Sequence, residues 1–361
     1  MDNRTQPLSS APVHGGNLAQ AREWFGEPAG GWQDLSTGIS PWSYPVPDIP
    51  SEVWQLLPGE GTALKAAAAQ YYGVDGRHIT PLPGSQYAIA RVPHQLSPAT
   101  VALPELGYAE HQRAWLSAGH RPVLYRDIDH LMELVCERAV EHLVVLNPNN
   151  PGAETSGRET IRQLYDAHQQ RGLMLLDEAF VDLQPEYSAA ALIEHCPDLW
   201  VLRSLGKFFG LAGIRLGFLL GRAERWGVSS AVAAELQPWG VSHPAQWIGC
   251  RALGDSQWQS QQRRRLSTAS LALEAQWQRY CAERPGLFRS VGSVANGGLF
   301  VTLRGDWESL YALYCRLGRA GVLLRWCHED AESASLPWLR CGIPSDGGER
   351  LKRTLMEAGS S

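Results

Sequence analysis

The chain has 361 residues, of which 44% are hydrophobic and 19% are charged, as in a globular enzyme rather than a disordered or fibrous protein. This length exceeds the usual size of one hydrophobic core, so we expect more than one domain. The net charge of −5 gives no general attraction to nucleic acids or anionic membranes. No apolar stretch is long enough for a membrane span, and residues 1–16 lack the apolar segment of a secretion signal, so we expect a cytoplasmic protein.

The first part of the chain is predicted to form an arm followed by a parallel α/β domain. Residues 1–47 are rich in Gly, Pro and Ser and are expected to pack near the functional site. Further on, apolar runs without polar alternation each end in polar residues, which is typical of buried parallel strands. Residues 48–238 are therefore predicted to form a large domain, a mainly parallel central sheet with helices on both faces. Its predicted helices cover 63–73 and 158–170, and its predicted strands cover 99–103, 142–146, 173–176 and 200–202.

After Pro238 the pattern changes to that of a smaller α+β domain, residues 239–361. Long stretches rich in Gln, Arg, Leu and Ala come first, and shorter apolar runs follow. The predicted helices cover 243–284 and 307–321, and the predicted strands cover 296–303, 322–326 and 337–343.

Polar side chains that can carry chemistry follow the predicted strands of the large domain. Asn150, Asp177 and Ser204 lie within four residues of the ends of three of them, and Lys207 lies in the apolar stretch SLGKFFGLAGIRLG (204–217). Ligands of open parallel sheets bind beyond the carboxyl ends of the strands. Only three of the 32 basic residues are lysines, and lysine, unlike arginine, can form an imine. Each residue alone has an ordinary explanation as a cap or a turn; together they indicate a site.

This set of groups suits pyridoxal phosphate. That cofactor needs an amine, a carboxylate for its ring nitrogen, a donor to its ring hydroxyl, a flat side chain and an anion cradle. The stretch LPGSQYAIA (82–90) places Gly-Ser-Gln at the start of a predicted helix, where backbone N–H groups bind phosphate. Ser204 and Arg215 add a hydroxyl and a permanent charge.

Four motifs extend this interpretation to a family. The stretch 204–217 resembles the S-x-x-K…G-x-R-x-G signature of the fold-type I pyridoxal-phosphate enzymes in the class I/II aminotransferase superfamily. NPNNPG (147–152), LLDEAFVDL (175–183) and PELGYAEH (104–111) are similar to three further motifs of that superfamily. The resemblance covers nearly the whole chain and implies the fold-type I fold and a homodimer.

The resemblance also implies roles for individual residues. Lys207 would bind the cofactor covalently, Asp177 would pair with the ring nitrogen, Asn150 would reach the ring hydroxyl and Tyr108 would stack on the ring. Phe180 stands where many relatives have tyrosine, which removes one hydrogen bond to the ring hydroxyl. The phosphate would be held by Ser85, Gln86, Ser204 and Arg215.

The substrate is predicted to carry two anionic groups. Arg325 and Arg340 lie on predicted strands of the small domain, and arginine binds carboxylate or phosphate with two parallel hydrogen bonds. The stretches VHGGNLAQA (13–21), DLSTGISPW (34–42) and QPWGVSHPAQ (237–246) resemble the threonine-phosphate decarboxylases of cobalamin biosynthesis. That resemblance implies decarboxylation of L-threonine O-3-phosphate to (R)-1-amino-2-propanol O-2-phosphate. It places six residues at the substrate: His14, Gly15, Gly38, Asn150, Arg325 and Arg340.

Other functions remain open at this point. A phospho-substrate aminotransferase, such as one for histidinol phosphate, shares every cofactor residue, although LLP (56–58) stands where those enzymes have a Tyr-Pro. A transcriptional regulator on the same fold would need an attached DNA-binding domain, which we do not expect before His14, and Lys207 disfavours a non-catalytic descendant. No metal, nucleic acid or membrane partner is predicted.

Overall fold

The computed structural model describes residues 14–222, 226–284, 293–327 and 337–357. Its strands are β1 (Gln33–Asp34), β2 (Ile79–Leu82), β3 (Thr100–Pro104), β4 (Arg121–Tyr125), β5 (His142–Leu146), β6 (Met174–Asp177), β7 (Leu199–Ser204), β8 (Gly217–Leu220), β9 (Ser293–Asn296), β10 (Phe300–Arg304), β11 (Val322–Leu323), β12 (Arg325–Trp326) and β13 (Trp338–Gly342). Its α-helices are α1 (Leu18–Phe25), α2 (Ser51–Gln55), α3 (Thr62–Tyr72), α4 (Ser85–Arg91), α5 (Ala109–Ser117), α6 (Ile128–Cys136), α7 (Arg158–His168), α8 (Val228–Glu235), α9 (His243–Gly254), α10 (Ser256–Ala282), α11 (Trp307–Arg319) and α12 (Glu349–Glu357).

The chain divides into two compact units. The large unit is residues 42–263, and the small unit combines residues 1–41 with 264–361. These limits lie six residues before and 25 residues after the domain boundaries expected from the sequence at 47/48 and 238/239, so that division stays a prediction. Residues 1–13 of the expected arm lie outside the described residues.

The large unit contains a seven-stranded sheet in the order β2-β8-β7-β6-β5-β3-β4. All its strands run parallel except β8, which is antiparallel to both β7 and β2. Every residue of β5, β6 and β7 is buried, which explains why these strands show no polar alternation. The predicted α/β fold with a mainly parallel sheet is confirmed. Its hydrophobic core includes Leu82, Val101, Leu103, Trp115, Val144, Leu175, Trp200, Leu202 and Leu219.

The helical region expected over 243–284 proves to be two helices, α9 and α10. Asp255 separates them with φ −91° and ψ 77°, outside the helical region. Its carboxylate accepts the backbone N–H of Trp258 at 2.9 Å, so it caps the second helix. A capping carboxylate next to a glycine therefore divides a pattern that reads as continuous in the sequence.

The small unit contains an antiparallel sheet in the order β12-β13-β10-β9 and a separate parallel pair, β1 with β11. Two strand predictions were wrong in detail. The stretch 296–303 begins as a turn, because Asn296 accepts the N–H of Gly298 at 2.8 Å and reverses the chain between β9 and β10. The stretch 322–326 divides at Leu324, since β11 pairs with β1 whereas β12 pairs with β13.

Within the described ranges, no helix combines the length and the apolar character that crossing a bilayer requires.

A buried histidine supports the N-terminal end of β5. His142 is 4% exposed, and its Nδ1 accepts the backbone N–H of Leu173 at 3.0 Å. Its ring lies 5.5 Å from that of His120 and 5.4 Å from that of Trp115, measured between centroids. Burial, with a smaller contribution from His120, lowers the pKa of His142 to about 4. The folded protein therefore holds this ring neutral.

This histidine predicts a loss of stability in acid. The unfolded chain takes up the proton near pH 6.5, whereas the folded chain resists it until about pH 4, so stability falls as the pH drops through this window. The cost at the low end is about 3 kcal/mol. His142→Asn keeps an acceptor for Leu173 but cannot titrate. We expect urea unfolding midpoints of the wild type to fall more steeply than those of the variant between pH 6.5 and 4; parallel curves would contradict this.

Candidate active site

A buried carboxylate closes strand β6 in the large unit. Asp177 Oδ2 lies 3.0 Å from His111 Nε2, and Oδ1 accepts the backbone N–H of Ala179 at 3.0 Å. The carboxylate is 9% exposed, so these two partners compensate for most of the water that it has lost. Asp177 pairs with Leu202 on the neighbouring strand, and Ser204 follows two residues later at the same end of the sheet.

His111 reaches this carboxylate from helix α5. The helix starts at Ala109, directly after Tyr108, and a residue three positions after Tyr108 lies near the same face. His111 is 1% exposed, and the rings of the two residues meet edge to face at 6.3 Å. Its Nδ1 is buried with no hydrogen-bond partner among the described residues. The imidazole therefore contacts Asp177 through Nε2 and makes no hydrogen bond through Nδ1 within the described part of the chain.

Tyr108 connects this pair to the start of helix α4. Its hydroxyl donates to Gln86 Oε1 at 2.9 Å. The loop that carries Asn150 is tied to the segment before Tyr108, because Asn149 Nδ2 donates to the Leu106 carbonyl at 2.9 Å. The predicted cofactor residues on α4, α5 and the 147–152 loop therefore belong to one connected group.

The asparagines of the NPNNPG stretch differ in their contacts. Asn147 is fully buried, donates to the carbonyls of Ser156 and Tyr187 and accepts the N–H of Ser156. Asn147 and Asn149 are therefore used within the protein to shape the loop. Asn150, the residue predicted at the ring hydroxyl, is partly exposed.

Lys207 lies at the same end of the sheet, after β7. Its Nζ stands 5.2 Å from the centre of the Phe180 ring, a distance at which an aromatic face attracts a cation. Phe180 is buried and comes three residues after Asp177. The ammonium in the apolar stretch is therefore held against the segment that follows the Asp177 strand.

Glycines allow Arg215 and the backbone at the start of α4 to approach closely. Gly84 precedes α4 with φ +84°, and a Cβ there would lie 2.7 Å from Arg215 Nη2. A Cβ on Gly217 would lie 2.5 Å from the backbone nitrogen of Ser85. Among the described residues no side chain caps the first turn of α4, and Ser204 Oγ accepts the N–H of Gly206 at 3.1 Å. Backbone donors, a hydroxyl and a guanidinium thus approach one another closely.

These groups fit pyridoxal phosphate. The cofactor ring requires a carboxylate, an amine and a flat side chain. Asp177 held by two partners, Lys207 at the same end of the sheet and Tyr108 directly before α5 match these groups. The close approach of the Arg215 guanidinium to Gly84, at the start of α4, suits the binding of a phosphate by a positive charge and backbone N–H groups.

A buried ion network lies directly behind Asp177 and Ser204. Arg203 Nη1 contacts Glu178 Oε2 at 3.1 Å, and Nη2 contacts Asp182. All three residues are at most 3% exposed. Burial alone would lower the pKa of Arg203, but Asp182 and Glu178 outweigh it and raise that pKa above its ordinary value. The network joins the ends of β6 and β7 and so fixes the spacing of the site residues on them.

The small unit brings its two predicted arginines together. Arg325 on β12 and Arg340 on β13 stand directly opposite each other, so both side chains project to the same face of the sheet. Arg340 is 7% exposed, and its Nη2 donates to the Ser36 carbonyl at 2.6 Å. Burial lowers the pKa of Arg340. The two guanidinium groups repel each other in this arrangement, and an anion bound by both would offset the repulsion.

A cleft in the small unit contains three of the predicted substrate residues. Gly38 is buried and is not among the residues that line it. The lining residues include His14, Gly15, Ser36, Tyr314, Arg325 and Trp326.

Three groups of residues escaped the sequence analysis. His111 lies in the quoted stretch 104–111, and its spacing of three from Tyr108 could have placed it on the same helix face. Asp34 and Ser36, described below, form an Asp-x-Ser turn that is recognisable in sequence. The pairing of Arg203 with Glu178 depends on strand neighbours and leaves no comparable signal.

The contact between His111 and Asp177 predicts a role in cofactor binding. His111→Phe leaves the carboxylate with one donor, and we expect the dissociation constant of pyridoxal phosphate to rise about tenfold. His111→Gln supplies a new donor and is expected to restore most of the affinity. Absorbance titration of the apoprotein measures both; equal affinities of the wild type and the Phe variant would refute the role.

Comparison with known proteins identifies the family. The family model described as aminotransferase class I and II matches residues 53–286. A threonine-phosphate decarboxylase from Pseudomonas aeruginosa is 39% identical over 334 residues, which cover 92% of this chain and 93% of that protein. A histidinol-phosphate aminotransferase from Vibrio cholerae is also 39% identical, but only over 114 residues, 32% of each chain.

A solved structure shows the same fold. The histidinol-phosphate aminotransferase from Sinorhizobium meliloti in complex with pyridoxal-5'-phosphate aligns with a TM-score of 0.78 at 18% identity, covering 94% of this chain and 95% of that one. The family model spans more than half of the sequence and the Pseudomonas relative nearly all of it, and the chain belongs to the class I and II aminotransferase family.

Proposed function

We propose that this protein is a pyridoxal-phosphate-dependent decarboxylase of L-threonine O-3-phosphate that forms (R)-1-amino-2-propanol O-2-phosphate for the cobalamin side chain. The observation that carries the proposal is the cross-strand pair of Arg325 and Arg340, beside the cleft that contains His14. The extent of the match to the Pseudomonas threonine-phosphate decarboxylase supports it further. The cytoplasmic location expected from the sequence stays a prediction.

The large unit would hold the cofactor. Pyridoxal phosphate, when bound, supplies an electron sink for the pair left on the α-carbon of an amino acid. Lys207 would provide the amine that binds the cofactor. Asp177, oriented by His111, would keep a proton on the ring nitrogen of the cofactor. Tyr108 supplies a flat side chain and Asn150 a donor to the ring hydroxyl. Its phosphate would be bound by Ser85, Gln86, Ser204 and Arg215.

The small unit would bind the substrate's two anionic groups. Arg325 and Arg340 each offer a planar fork of donors, and both project from one face of the sheet. His14 adds a ring donor, and the glycine backbone at Gly15 lets an anion approach closely. Holding both the carboxylate and the phosphate fixes the rotation about the α-carbon and so selects the bond that breaks. Loss of the α-proton instead would permit elimination of the phosphate, which orientation must prevent.

A homodimer is proposed from an exposed apolar face of the large unit. Trp54, Leu56, Leu57 and Trp239 are between 57% and 65% exposed. The Leu56 carbonyl lies 3.3 Å from His243 Nδ1 at the start of α9, four residues after Trp239, so these side chains share one region of the surface. Large apolar groups in such a cluster are typical of an interface between protein chains.

The reaction is tested with O-phospho-L-threonine labelled at C1. We expect labelled CO2 together with an equal amount of aminopropanol phosphate, and a rate at least ~100-fold above that with threonine, since threonine lacks the second anionic group. Transfer of an amino group to 2-oxoglutarate without CO2 would indicate the aminotransferase instead. Release of inorganic phosphate without CO2 would indicate elimination.

Two arginine variants on the same sheet sharpen this test. Arg325→Gln is expected to raise KM for O-phosphothreonine at least about tenfold, because one anion clamp is lost. Arg304→Gln is the matched control, since Arg304 is exposed and lies over the Trp338 ring. Equal KM values for the two variants would contradict the assignment of Arg325.

The dimer is tested by placing a charge on the apolar face. Leu57→Asp is expected to raise the dimer dissociation constant at least about tenfold, because a carboxylate would be buried without a partner. Leu271→Asp is the control, because Leu271 on α10 is equally exposed, at 63%, but lies in the small unit. Sedimentation velocity measures both; a wild-type monomer at micromolar concentration would refute the proposal.

A further inference from the structure

A compact turn in the small unit links the two elements proposed to bind the substrate's anionic groups. We name it the Asp34–Ser36 turn. Asp34 Oδ1 accepts the backbone N–H of Ser36 at 2.9 Å and its hydroxyl at 2.5 Å. Ser36 is 2% exposed. The carboxylate therefore fixes the direction in which the Ser36 hydroxyl presents its lone pairs.

Ser36 uses its remaining hydrogen-bonding groups on two other segments. Its hydroxyl accepts the backbone N–H of Gly16 at 2.7 Å, next to His14 and Gly15. Its carbonyl accepts Nη2 of Arg340 at 2.6 Å. One buried residue thus holds both the His-Gly-Gly segment and the arginine.

The packing around the turn leaves little freedom. A Cβ on Gly15 would lie 2.4 Å from the Ser36 carbonyl oxygen, so the two backbones are in direct contact. The N–H of Gly342, two residues after Arg340, donates to the Leu35 carbonyl at 2.7 Å. A Cβ on Gly342 would lie 2.3 Å from the Thr37 carbonyl oxygen. Both neighbouring segments approach the turn as closely as glycine permits.

We propose that Ser36, oriented by Asp34, is a positioning residue that sets Arg340 and the His14–Gly16 backbone in one geometry for binding an anionic substrate group. This inference rests on the proposed function for the identity of the substrate. It adds two residues that act through the groups they hold.

Substitutions of Asp34 distinguish a positioning role from a purely electrostatic effect of its charge. A carboxylate close to an anion-binding cleft repels the anion, so charge alone predicts that removing it strengthens binding. Positioning predicts the opposite, because the Ser36 hydroxyl loses its orienting acceptor. Asp34→Asn removes the charge and keeps an acceptor oxygen, whereas Asp34→Ala removes both.

The test measures binding of inorganic phosphate to the holoenzyme by calorimetry. We expect the dissociation constant to rise about five- to tenfold in Ser36→Ala and in Asp34→Ala, and to stay at or below the wild-type value in Asp34→Asn. The double variant with Ser36→Ala and Asp34→Ala should have the same dissociation constant for phosphate as whichever single variant binds phosphate more weakly, since both changes break one network. Ser309→Ala, in the first turn of α11, is the matched control with unchanged binding, because Ser309 is bonded to Asp306 through its backbone N–H.

The same variants are assayed for KM and kcat with O-phosphothreonine. Ser36→Ala should raise KM about fivefold or more with a smaller change in kcat, because the residues proposed to bind the cofactor are untouched. Tighter phosphate binding in Asp34→Ala, unchanged binding in Ser36→Ala, or additive effects would overturn the proposal. If Ser36→Ala does not fold, the contrast between Asp34→Ala and Asp34→Asn decides.

Failure of the proposed function would look different. A wild type that binds phosphate with this dependence on Asp34 and Ser36, yet releases no CO2 from O-phosphothreonine, would leave the positioning role intact and refute the decarboxylase. A wild type with no measurable phosphate binding would overturn the positioning role itself.

Discussion

The site in the large unit depends on one buried carboxylate. Asp177 stands at the end of β6, where nearly all of its hydration is lost, and an ionised group at such a place is tolerated only with close partners. The Ala179 N–H and the His111 ring supply them at 3.0 Å each. That requirement constrains the rest of the structure. It ties α5 to the end of β6 and sets Tyr108 beside His111.

The remaining residues of the site follow from the topology of the sheet. Since β5, β6 and β7 are parallel neighbours, the segments that follow them meet at one edge, and Asn150, Asp177, Lys207 and Ser204 come from those segments. The ion network of Arg203, Glu178 and Asp182 is fully buried behind them and joins β6 to β7. Removing one member would leave an uncompensated charge, so the network fixes the relative positions of the strand ends. The candidate site residues Asp177 and Ser204 are thus direct chain neighbours of the network residues Glu178 and Arg203.

The sequence allowed the fold to be predicted, and it singled out the candidate cofactor residues, because the signals for both are local. Apolar runs without alternation indicated the parallel sheet, and a single lysine among glycines and aromatics indicated the amine. Signals that depend on distant pairing were out of reach. The register that sets Arg325 opposite Arg340 is decided by β13, and the division of 322–326 is decided by the separate partners of β11 and β12. The contact between His111 and Asp177 spans 66 residues, so only the helical spacing from Tyr108 could have suggested it.

The central claim is that Lys207 is the amine that carries pyridoxal phosphate. The most direct measurement is reduction of the holoenzyme with borohydride, followed by mapping of the modified peptide. The chain has only three lysines, Lys65, Lys207 and Lys352, so the assignment is unambiguous. We predict one phosphopyridoxyl group per chain, on Lys207, and none in Lys207→Ala. The control Lys65→Ala should be labelled to the same extent as the wild type. Label on Lys65 or Lys352, or no label on a protein saturated with the cofactor, would contradict the account.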